Sequence, residues 1–347
     1  MSHSSLAQSL PRWWYRRGLS LQLWPLLPFS WLFRLVVAAR CRLYRLGVLK
    51  SIRLAVPVIV VGNLTVGGSG KTPLVIWLVL RLRAQGFHPG IISRGYGGVE
   101  GQVRVAKADS QAAEVGDEPL LLARRCNVPV FVGRDRVAAG AALLAAHPEC
   151  DVIVSDDGLQ HYRLHRDAEI VMFDGRGAGN GRLLPAGPLR EPLKRLGAVT
   201  AIVWNSAPPS SRLAGIAVPQ FSMRLTSECF HALDDDSRRC TTDDLRSKKL
   251  FALAGIGDPS RFFAELSALG LVFEAHPFPD HHAYAPEDLM FARDGTLLMT
   301  EKDAVKCASF RLHDAWMLPV DAKLEAAADG VELPDLLLEK INGCSPA

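Results

Sequence analysis

A buried strand that leads into a glycine-rich turn and then into a helix is the feature that most constrains the fold of this chain. The run 56–61 is apolar and β-branched, the turn contains Gly67, Gly68 and Gly70, and the apolar stretch 74–78 is typical of a helix. Similar apolar runs recur at 88–92, 128–132, 152–155, 169–173 and 201–204. Such strands, alternating with helical stretches, are typical of a parallel sheet covered on both faces. The sequence therefore predicts an α/β domain with a mostly parallel sheet.

The glycine-rich turn also has the composition of a phosphate-binding loop. Glycines let backbone N–H groups point at a phosphate, Lys71 would reach the β- and γ-phosphates of a nucleotide, and the Thr72 hydroxyl would bind Mg²⁺. The strict pattern for such a loop has glycine where this chain has Thr65, and partition-type ATPases have a lysine where it has Val66. The second difference argues against a dimerising ATPase of that kind. The predicted nucleotide-binding residues are Thr65, Val66, Gly67, Gly68, Ser69, Gly70, Lys71 and Thr72.

Two adjacent acids follow a neighbouring apolar strand. Asp156 and Asp157 come directly after the run 152–155, and Gln160 and His161 lie just beyond them. A P-loop enzyme needs an aspartate at the end of a neighbouring strand to hold Mg²⁺ and its waters, although aspartates are also common in ordinary turns. No Asn-Lys-x-Asp motif for reading guanine is present. The predicted cofactors are therefore ATP and Mg²⁺.

The positive charge of the chain is concentrated near its N-terminus. Residues 1–53 contain nine Arg or Lys and no acid, four tryptophans, and an apolar run at 19–39 that is interrupted by Pro25, Pro28 and Arg34. Tryptophans and arginines beside leucines suit the headgroup region of an anionic bilayer. We therefore expect an interfacial anchor. A membrane span, which needs about 20 uninterrupted apolar residues, and a helix packed on the core are the alternatives.

A second α/β series follows a polar break after residue 204. A connecting strand is expected at 221–225, then strands at 248–254, 272–276, 297–300 and 316–319 and a helix at 259–269. The seven cysteines are scattered without a paired metal-ligand spacing. They are therefore expected to be reduced thiols in a cytosolic protein.

Seven short motifs follow one another along the chain. They are GNLTVGGSGKTP at 62–73, SRGYGG at 93–98, GDEP at 116–119, DDGLQH at 156–161, LPAGPLREP at 184–192, DHHAY at 280–284 and TEKD at 300–303. In this order they resemble the motif set of the tetraacyldisaccharide 4′-kinase family, for which Thr65 at the first loop position is normal. The resemblance implies transfer of the γ-phosphate of ATP to the 4′-hydroxyl of a tetraacylated glucosamine disaccharide 1-phosphate, which gives lipid IVA.

The resemblance also implies a domain organisation. It predicts a P-loop NTPase-like domain with a mostly parallel sheet, a second and smaller α/β domain, and an N-terminal membrane-associated helix. The predicted boundaries are an N-terminal membrane-anchoring segment at 1–50, a P-loop kinase domain at 51–235 and a C-terminal α/β domain at 236–347 that closes the cleft.

Individual roles follow from the same resemblance. In the family the aspartate of GDEP accepts the hydroxyl proton, which maps to Asp117, and a histidine of DHHAY orients it, with His281 favoured over His282. The predicted catalytic residues are Asp117, His281, Lys71 and Asp157. The predicted metal ligands are Thr72, Asp156, Asp157 and Glu191. Arg94 could contact a phosphate or lie in a simple glycine-rich turn, and Thr300 is expected to cap a helix, with Asp303 reaching back to it.

Two functional hypotheses follow from these features. The first is a glycolipid kinase, and the second is a membrane-associated P-loop ATPase that acts in targeting or assembly. A kinase needs an acceptor base, whereas a switch ATPase needs a residue that orients water, so the Asp117–His281 pair distinguishes them. The predicted partners are the glycolipid substrate and an anionic membrane surface, with no nucleic acid and no obligate protein partner. The predicted location is the cytoplasmic face of the inner membrane of a Gram-negative bacterium.

Overall fold

The computed structural model describes residues 10–16, 18–99, 101–206, 216–235, 237–310, 312–327 and 329–342. Its strands are β1 (Val58–Gly62), β2 (Pro89–Ser93), β3 (Arg104–Ala106), β4 (Val130–Val132), β5 (Val152–Asp156), β6 (Ala168–Asp174), β7 (Ala201–Asn205), β8 (Gln220–Thr226), β9 (Phe230–Ala232), β10 (Arg239–Cys240), β11 (Leu250–Ala254), β12 (Phe273–Pro277), β13 (Thr296–Thr300), β14 (Ala315–Leu318) and β15 (Asp321–Leu324). Its α-helices are α1 (Leu27–Arg45), α2 (Lys71–Ala84), α3 (Ala112–Val115), α4 (Asp117–Cys126), α5 (Arg136–Ala146), α6 (Thr242–Leu245), α7 (Pro259–Ala268), α8 (Glu301–Cys307) and α9 (Leu333–Asn342), with 3₁₀ helices at Leu21–Leu26, Leu193–Ala198 and Pro286–Ala292.

The chain folds into two compact units, each made of separate segments. The first unit contains Met1–Ile92, Arg136–Arg224 and Leu324–Ala347, and the second contains Ser93–Asp135 and Leu225–Lys323. The sequence prediction instead divided the chain linearly, at residues 50 and 235. The difference arises because the chain passes into the second unit after β2 and returns to the first unit at α5, an excursion that composition does not reveal.

Six parallel strands form the sheet of the first unit, in the order β8-β7-β6-β1-β5-β2. Strands β1, β2, β5, β6 and β7 are buried along their whole length, as their continuous apolar sequences predict. The register places Asp156, the last residue of β5, beside Val61 of β1. The loop after β1 and the acids after β5 therefore leave the sheet at the same edge.

Helix α2 anchors the phosphate-binding loop to this sheet. Its buried side chains include Leu74, Leu78 and Leu82, and α9 packs against both α2 and β6. Burial of each such leucine stabilises the fold by about 1.5–3 kcal/mol. The start of α2, which ends the loop, is therefore fixed by packing along the rest of the helix.

The N-terminal apolar run forms one continuous helix. Pro25 lies in the short 3₁₀ helix and Pro28 in the first turn of α1, where a missing N–H leaves no helical hydrogen bond unmade. The segment Leu21–Arg45 is long and apolar enough to cross a membrane by length and composition. Of an apolar stretch of 18 residues within it, 11% is buried. Ser30 Oγ donates a hydrogen bond to the Leu183 carbonyl oxygen at 2.8 Å, which ties one face of α1 to the first unit. The prolines thus begin the helix and do not interrupt it.

The second unit has a six-stranded mixed sheet in the order β10-β9-β14-β13-β11-β12. Strands β11 to β14 are parallel, and β9 pairs antiparallel with both β14 and β10. Side chains on one face pack with Phe262 and Leu266 of α7, and those on the other pack with Leu289 and Ala304. The antiparallel pair β3–β4 and helices α3 and α4 also belong to this unit.

The predicted strands and the predicted helix are each present within about two residues of the expected bounds. The short strands β3, β9, β10 and β15 were not predicted, because two to four residues carry no measurable alternation. The six cysteines among the described residues are free thiols. Cys344 lies outside the described residues.

Candidate active site

The phosphate-binding loop of the first unit connects the end of β1 to the start of α2. Gly67 and Gly70 have φ values of 106° and 82°, a region that side chains with a Cβ rarely adopt. A Cβ on Gly70 would lie 2.5 Å from Asn205 Nδ2, whereas one on Gly68 would meet no atom within 4 Å. The loop is therefore held closely on one side and is open on the other, as a phosphate cradle requires.

Three side chains hold the loop backbone in this shape. Asn63 Nδ2 donates to the Gly67 carbonyl at 3.1 Å, Asn205 Nδ2 donates to that of Ser69 at 3.2 Å, and Arg176 donates to that of Gly68 at 3.2 Å. Sequence reasoning missed all three of these residues. The loop carbonyls are thereby turned toward side chains, which leaves the N–H groups for an anion.

Thr65 and Val66 connect the loop to a neighbouring segment through their backbone groups. Thr65 forms a β-bridge with Leu189, and the Val66 N–H donates to the Pro188 carbonyl at 2.8 Å. The loop is thus joined to the segment 184–192, which the sequence had singled out as a separate motif. Ser69 is buried, and its Oγ has no hydrogen-bond partner among the described residues.

Lys71 and Asp157 lie together, as expected for a nucleotide site. Lys71 Nζ donates to Asn63 Oδ1 at 3.3 Å and lies 3.5 Å from Asp157 Oδ1, and Arg190 lies 3.5 Å from the same carboxylate. Burial raises the pKa of Asp157, but the charges of Lys71 and Arg190 lower it by more, so the pKa of Asp157 lies below its ordinary value. Asp157 has φ 48°, a left-handed conformation that is uncommon for a residue other than glycine. It is therefore a carboxylate beside the lysine that would bind phosphate.

The other predicted metal ligands are two buried acids and one hydroxyl. Asp156 is 1% exposed at the end of β5, and Thr72 lies in the first turn of α2. Glu191 is 2% exposed; its Oε2 accepts a hydrogen bond from Tyr162 at 2.6 Å, and its Oε1 has no hydrogen-bond partner within the described ranges. Arg195 Nε also lies 3.6 Å from that Oε2, and burial together with Glu191 raises the pKa of Tyr162.

These donors suit Mg²⁺, which takes oxygen ligands. Within the described residues, no group of three or more His, Cys, Asp or Glu is close enough to hold a metal ion by itself. That is the usual situation in a P-loop site, where one hydroxyl and one or two carboxylates share the ion with waters and nucleotide phosphates.

The second unit contains an aspartate–histidine pair in which the aspartate is buried. Asp117 is the first residue of α4 and is 5% exposed. His281 Nδ1 lies 2.9 Å and 3.1 Å from the two oxygens of Asp117. The two residues are 164 positions apart in the chain, and the fold brings them together as the family resemblance implies. His281 has φ 58°, a left-handed conformation that is uncommon for a residue other than glycine and is typical of functional sites.

The electrostatic environment of this pair favours an ionised carboxylate and a basic imidazole. Burial raises the pKa of Asp117, but the hydrogen bond from His281 and the charge of Lys302 lower it by more, so the pKa of Asp117 is below its usual value. The hydrogen bond to Asp117 raises the pKa of His281, while burial and Lys302 lower it, and the net pKa is above its usual value. The nearest charged group to His281 Nε2 is Asp280, whose Oδ1 lies 3.8 Å away, beyond hydrogen-bond distance.

A glycine-rich turn positions Asp117. Gly116 has φ 92°, and a Cβ on it would lie 2.6 Å from the Tyr96 carbonyl oxygen; a Cβ on Gly98 would lie 2.6 Å from the Glu114 carbonyl oxygen. The motifs SRGYGG and GDEP therefore pack backbone against backbone, which only glycine permits. The Tyr96 ring lies 5.0 Å from the His281 ring.

The remaining candidates have different surroundings. His282 Nε2 bonds Asp288 Oδ2 at 3.0 Å, so it does not contact Asp117 in place of His281. Arg94 lies beside the glycine-rich turn, where it lines a small pocket. Thr300 caps α8 by accepting the Asp303 N–H, and the Asp303 carboxylate reaches back to accept a hydrogen bond from the Thr300 hydroxyl at 2.6 Å, both as expected. It accepts hydrogen bonds from the Gly255 N–H and the Tyr284 hydroxyl, each at 3.0 Å.

Comparison with known proteins supports one family throughout. The family model described as tetraacyldisaccharide-1-P 4′-kinase, LpxK, matches residues 22–340. The tetraacyldisaccharide 4′-kinase of Dechloromonas aromatica (strain RCB) is 53% identical over 340 residues, which cover 97% of this chain and 98% of that protein. The tetraacyldisaccharide 4′-kinase of Azoarcus sp. (strain BH72) is 55% identical over 322 residues, 92% of each chain.

A solved structure agrees with these relatives. The crystal structure of LpxK from Aquifex aeolicus in complex with ATP superposes with a TM-score of 0.77 at 33% identity, covering 92% of this chain and 100% of that one. On these matches the chain belongs to the tetraacyldisaccharide-1-phosphate 4′-kinase family, LpxK.

Proposed function

We propose that this protein transfers the γ-phosphate of ATP to the 4′-hydroxyl of a tetraacylated glucosamine disaccharide 1-phosphate, the kinase step of lipid A biosynthesis that forms lipid IVA. It is an ATP-dependent kinase, as its family membership over nearly the whole chain establishes. The observation that carries the reaction is the Asp117–His281 pair. A kinase needs a base for its acceptor, and a switch ATPase does not.

In this proposal the first unit supplies the nucleotide site. The N–H groups of the loop and Lys71 bind the β- and γ-phosphates. Lys71 lies beside the Asp157 carboxylate in the structure, and its ammonium group would turn from this anion to the phosphates when ATP binds. Thr72, Asp156 and Asp157 would hold Mg²⁺, with Glu191 Oε1 as a further oxygen donor. When bound, Mg²⁺ neutralises charge on the β- and γ-phosphate oxygens.

The second unit supplies the base, and its geometry favours His281 over Asp117 as the proton acceptor. Asp117 is buried, both of its oxygens face His281 Nδ1, and its lowered pKa makes it a weak base. An Nδ1–H group that donates to Asp117 leaves a lone pair on Nε2, which is the imidazole atom free to accept a proton. The sequence prediction gave these roles in the opposite order.

The proposed step is an in-line displacement. The 4′-hydroxyl oxygen of the acceptor attacks the γ-phosphorus, and the bond from that phosphorus to the β,γ-bridging oxygen breaks. The hydroxyl proton goes to His281 Nε2, and Asp117 stabilises the imidazolium that forms. ADP leaves with the bridging oxygen, and Lys71 offsets the charge that develops on it.

Product analysis tests the activity directly. The purified protein, ATP and the disaccharide 1-phosphate are incubated in detergent micelles, and the lipid is examined by mass spectrometry for the addition of one phosphate. ATP hydrolysis is measured with and without acceptor, and Lys71→Ala serves as the inactive control. Hydrolysis that is independent of acceptor, with no phosphorylated lipid, would contradict the kinase and favour the ATPase.

We propose further that the protein works at an anionic membrane surface, on the cytoplasmic face of the inner membrane. Helix α1 and the preceding 3₁₀ helix expose apolar side chains that lack cover among the described residues; they are Leu21, Trp24, Phe29, Trp31, Leu32, Leu35 and Val36. Five cations, Arg34, Arg42, Arg45, Lys194 and Arg195, line a groove of about 600 Å³ between α1 and the segment 191–198. Exposed apolar groups on α1 beside cations of α1 and of the segment 191–198 suit binding to a bilayer that contains anionic lipid.

Substitutions on the exposed face of α1 test this placement. Leu32→Glu combined with Leu35→Glu should lower sedimentation with anionic vesicles by roughly tenfold or more, because two charges replace apolar contacts with the acyl region. Val272→Glu, at a position that is 88% exposed in the second unit, is the matched control. High salt should weaken binding of the unmodified protein by screening its nine N-terminal cations. Equal sedimentation of all variants would exclude α1 as the membrane contact.

A further inference from the structure

Lys302 is a lysine in the interior of the second unit that the proposed mechanism has not used. It is the second residue of α8, in the motif TEKD, and its side chain is 18% exposed. Its Nζ lies 3.1 Å from Glu118 Oε1, 3.6 Å from Asp117 Oδ2 and 3.6 Å from Asp280 Oδ1. An ammonium group in such a place is costly to desolvate unless anions compensate it. Here three carboxylates from two separate segments do so.

The charges around the pair do not balance without this lysine. Asp117, Glu118 and Asp280 carry three negative charges, and both Asp117 and Asp280 lie beside the His281 ring. Asp117 and Asp280 each raise the pKa of His281 and so favour the protonated imidazole. An imidazole that stays protonated at neutral pH cannot accept a hydroxyl proton. A fixed cation is therefore needed to oppose the carboxylates.

The charged and titratable groups that face the pair come from four segments: Tyr96 from the glycine-rich turn, Asp117 and Glu118 from α4, Asp280 and His281 from the loop after β12, and Lys302 and Lys306 from α8. Lys306 Nζ lies 2.8 Å from Asp303 and 4.7 Å from the centre of the Tyr284 ring, so its charge is already matched. Lys302 is the ammonium group that contacts Asp117 directly.

An ion pair between α8 and α4 is already formed by Glu301, the residue before Lys302. Glu301 forms a two-pronged ion pair with Arg125 of α4, at 2.7 Å and 2.9 Å, and this pair joins the same two helices. Helix packing alone therefore does not require a second ion pair at Lys302. The carboxylates that Lys302 does contact are those of the base and its surroundings.

We propose that Lys302 is a positioning residue for phosphoryl transfer, which holds Asp117 against His281 Nδ1 and keeps His281 Nε2 free to accept the hydroxyl proton at neutral pH. This inference rests on the proposed function, in which His281 is the base. Lys302 acts through Asp117 and His281 and does not itself touch the acceptor. Its charge opposes the three carboxylates, so the imidazole is basic but not permanently protonated.

The pH dependence of kcat/KM tests the inference. Lys302→Met should move the acid limb of the profile to higher pH by about one unit, the effect expected for one charge near a partly buried site. Activity at neutral pH should fall roughly threefold to tenfold and recover at alkaline pH. Lys302→Arg should keep the original profile, and Lys302→Gln replaces Lys302→Met if the latter does not fold. Lys248→Met, which removes a lysine paired with Asp314 in the same unit, is the matched control and should not move the limb.

A second variant tests the same electrostatics with the opposite sign. Asp280→Asn removes a carboxylate that favours protonated His281, at a side chain that is 41% exposed, and should move the limb to lower pH. The double variant with Lys302→Met should lie between the two single variants. NMR titration of the His281 imidazole should give the same order of pKa values without any turnover.

Several outcomes would overturn the inference. A loss in Lys302→Met that is equal at every pH means a structural role, and a higher KM for the acceptor with an unmoved limb means direct contact with substrate. An unshifted His281 titration in folded Lys302→Gln also contradicts it. A wild-type protein that makes no phosphorylated lipid contradicts the proposed function instead, so the two failures are distinguishable.

Discussion

Replacing Asp117 by asparagine changes one charge and leaves the shape of the side chain almost unaltered. In the native protein His281 Nδ1 lies 2.9 Å from a buried carboxylate oxygen, which favours the tautomer with the proton on Nδ1 and, in the proposed mechanism, leaves Nε2 as the base. An asparagine can present its N–H₂ group to Nδ1 and so favour the tautomer with the proton on Nε2. That tautomer cannot accept a hydroxyl proton. It also has no anion to stabilise the imidazolium.

The expected loss follows from these two effects. A positioned general base contributes about 10²–10⁴-fold to the rate, and an amide beside the catalytic histidine of a serine protease costs about the upper end of that range. We therefore expect kcat to fall by about 10²–10⁴-fold, or roughly 3–5 kcal/mol of activation free energy. ATP affinity should remain within a few-fold of normal, because Asp117 belongs to the second unit and the phosphate-binding loop to the first.

The pH profile supplies an independent measurement. His281 is a base only above its pKa, and the hydrogen bond to Asp117 raises that pKa, with burial and Lys302 opposing it. Activity of the unmodified protein should therefore fall as the pH drops through a value above about 6.5, the ordinary histidine pKa. In Asp117→Asn the residual acid limb should lie at lower pH, since the group that raised the pKa is gone.

The assay is transfer of labelled phosphate from ATP to the acceptor across the pH range, with nucleotide binding measured separately. Asp288→Asn is the matched control, because Asp288 pairs with the adjacent His282 at 3.0 Å, and its rate should change by less than about threefold. His281→Ala and the double variant with Asp117→Asn should be equally slow, since Asp117 acts through His281. Asp117→Asn with a normal rate and an unmoved acid limb would refute the dyad, and a large loss in Asp288→Asn would transfer the role to His282.

The first unit and the backbone of the second give three further predictions. Lys71→Ala and Thr72→Ala should each reduce kcat by at least about 100-fold in the same transfer assay, because each removes a group that stabilises charge on the phosphates or on Mg²⁺. Gly116→Ala should destabilise the protein by about 1–3 kcal/mol in denaturant unfolding, since its φ is 92° and its Cβ would lie 2.6 Å from the Tyr96 carbonyl oxygen; Gly197→Ala, with nothing within 4 Å, is the control. Asn205→Asp should raise the KM for ATP by roughly tenfold, because the carboxylate cannot donate to Ser69 and repels the phosphates.

Local patterns were sufficient to predict most of the elements. The apolar strands, the glycines of the loop and the acids at the end of β5 are close in sequence to the structures that they form, so the loop and the acids could be expected at one edge of the sheet, where Lys71 and Asp157 lie 3.5 Å apart. The residues that shape the loop could not be predicted from local patterns. Asn205 and Arg176 lie more than 100 positions from it and have no distinguishing sequence context.

The pair in the second unit shows a different limit of the sequence. Its members were named from family resemblance, but the proposal that His281 is the base comes from burial, which a motif does not report. Asp117 is 5% exposed with both oxygens against one imidazole nitrogen, whereas the His281 side chain is 25% exposed. The left-handed backbone of His281 and the contact of Lys302 with three acids were equally invisible. All of them depend on how distant segments pack.

The order of the seven motifs explains why a linear division of the chain is misleading. The motifs that begin at Gly62, Asp156 and Leu184 belong to the first unit, and those that begin at Ser93, Gly116, Asp280 and Thr300 belong to the second. Along the chain, motifs of the first unit are twice followed by motifs of the second, because the segment 93–135 of the second unit lies between two segments of the first. That segment contributes Asp117, whose partners His281 and Lys302 come from the later segment of the same unit. The proposed base and its partner are thus assembled from both excursions of the chain into one unit, and a cut at any single residue between 72 and 235 would separate Asp117 from its histidine or the loop from its carboxylates.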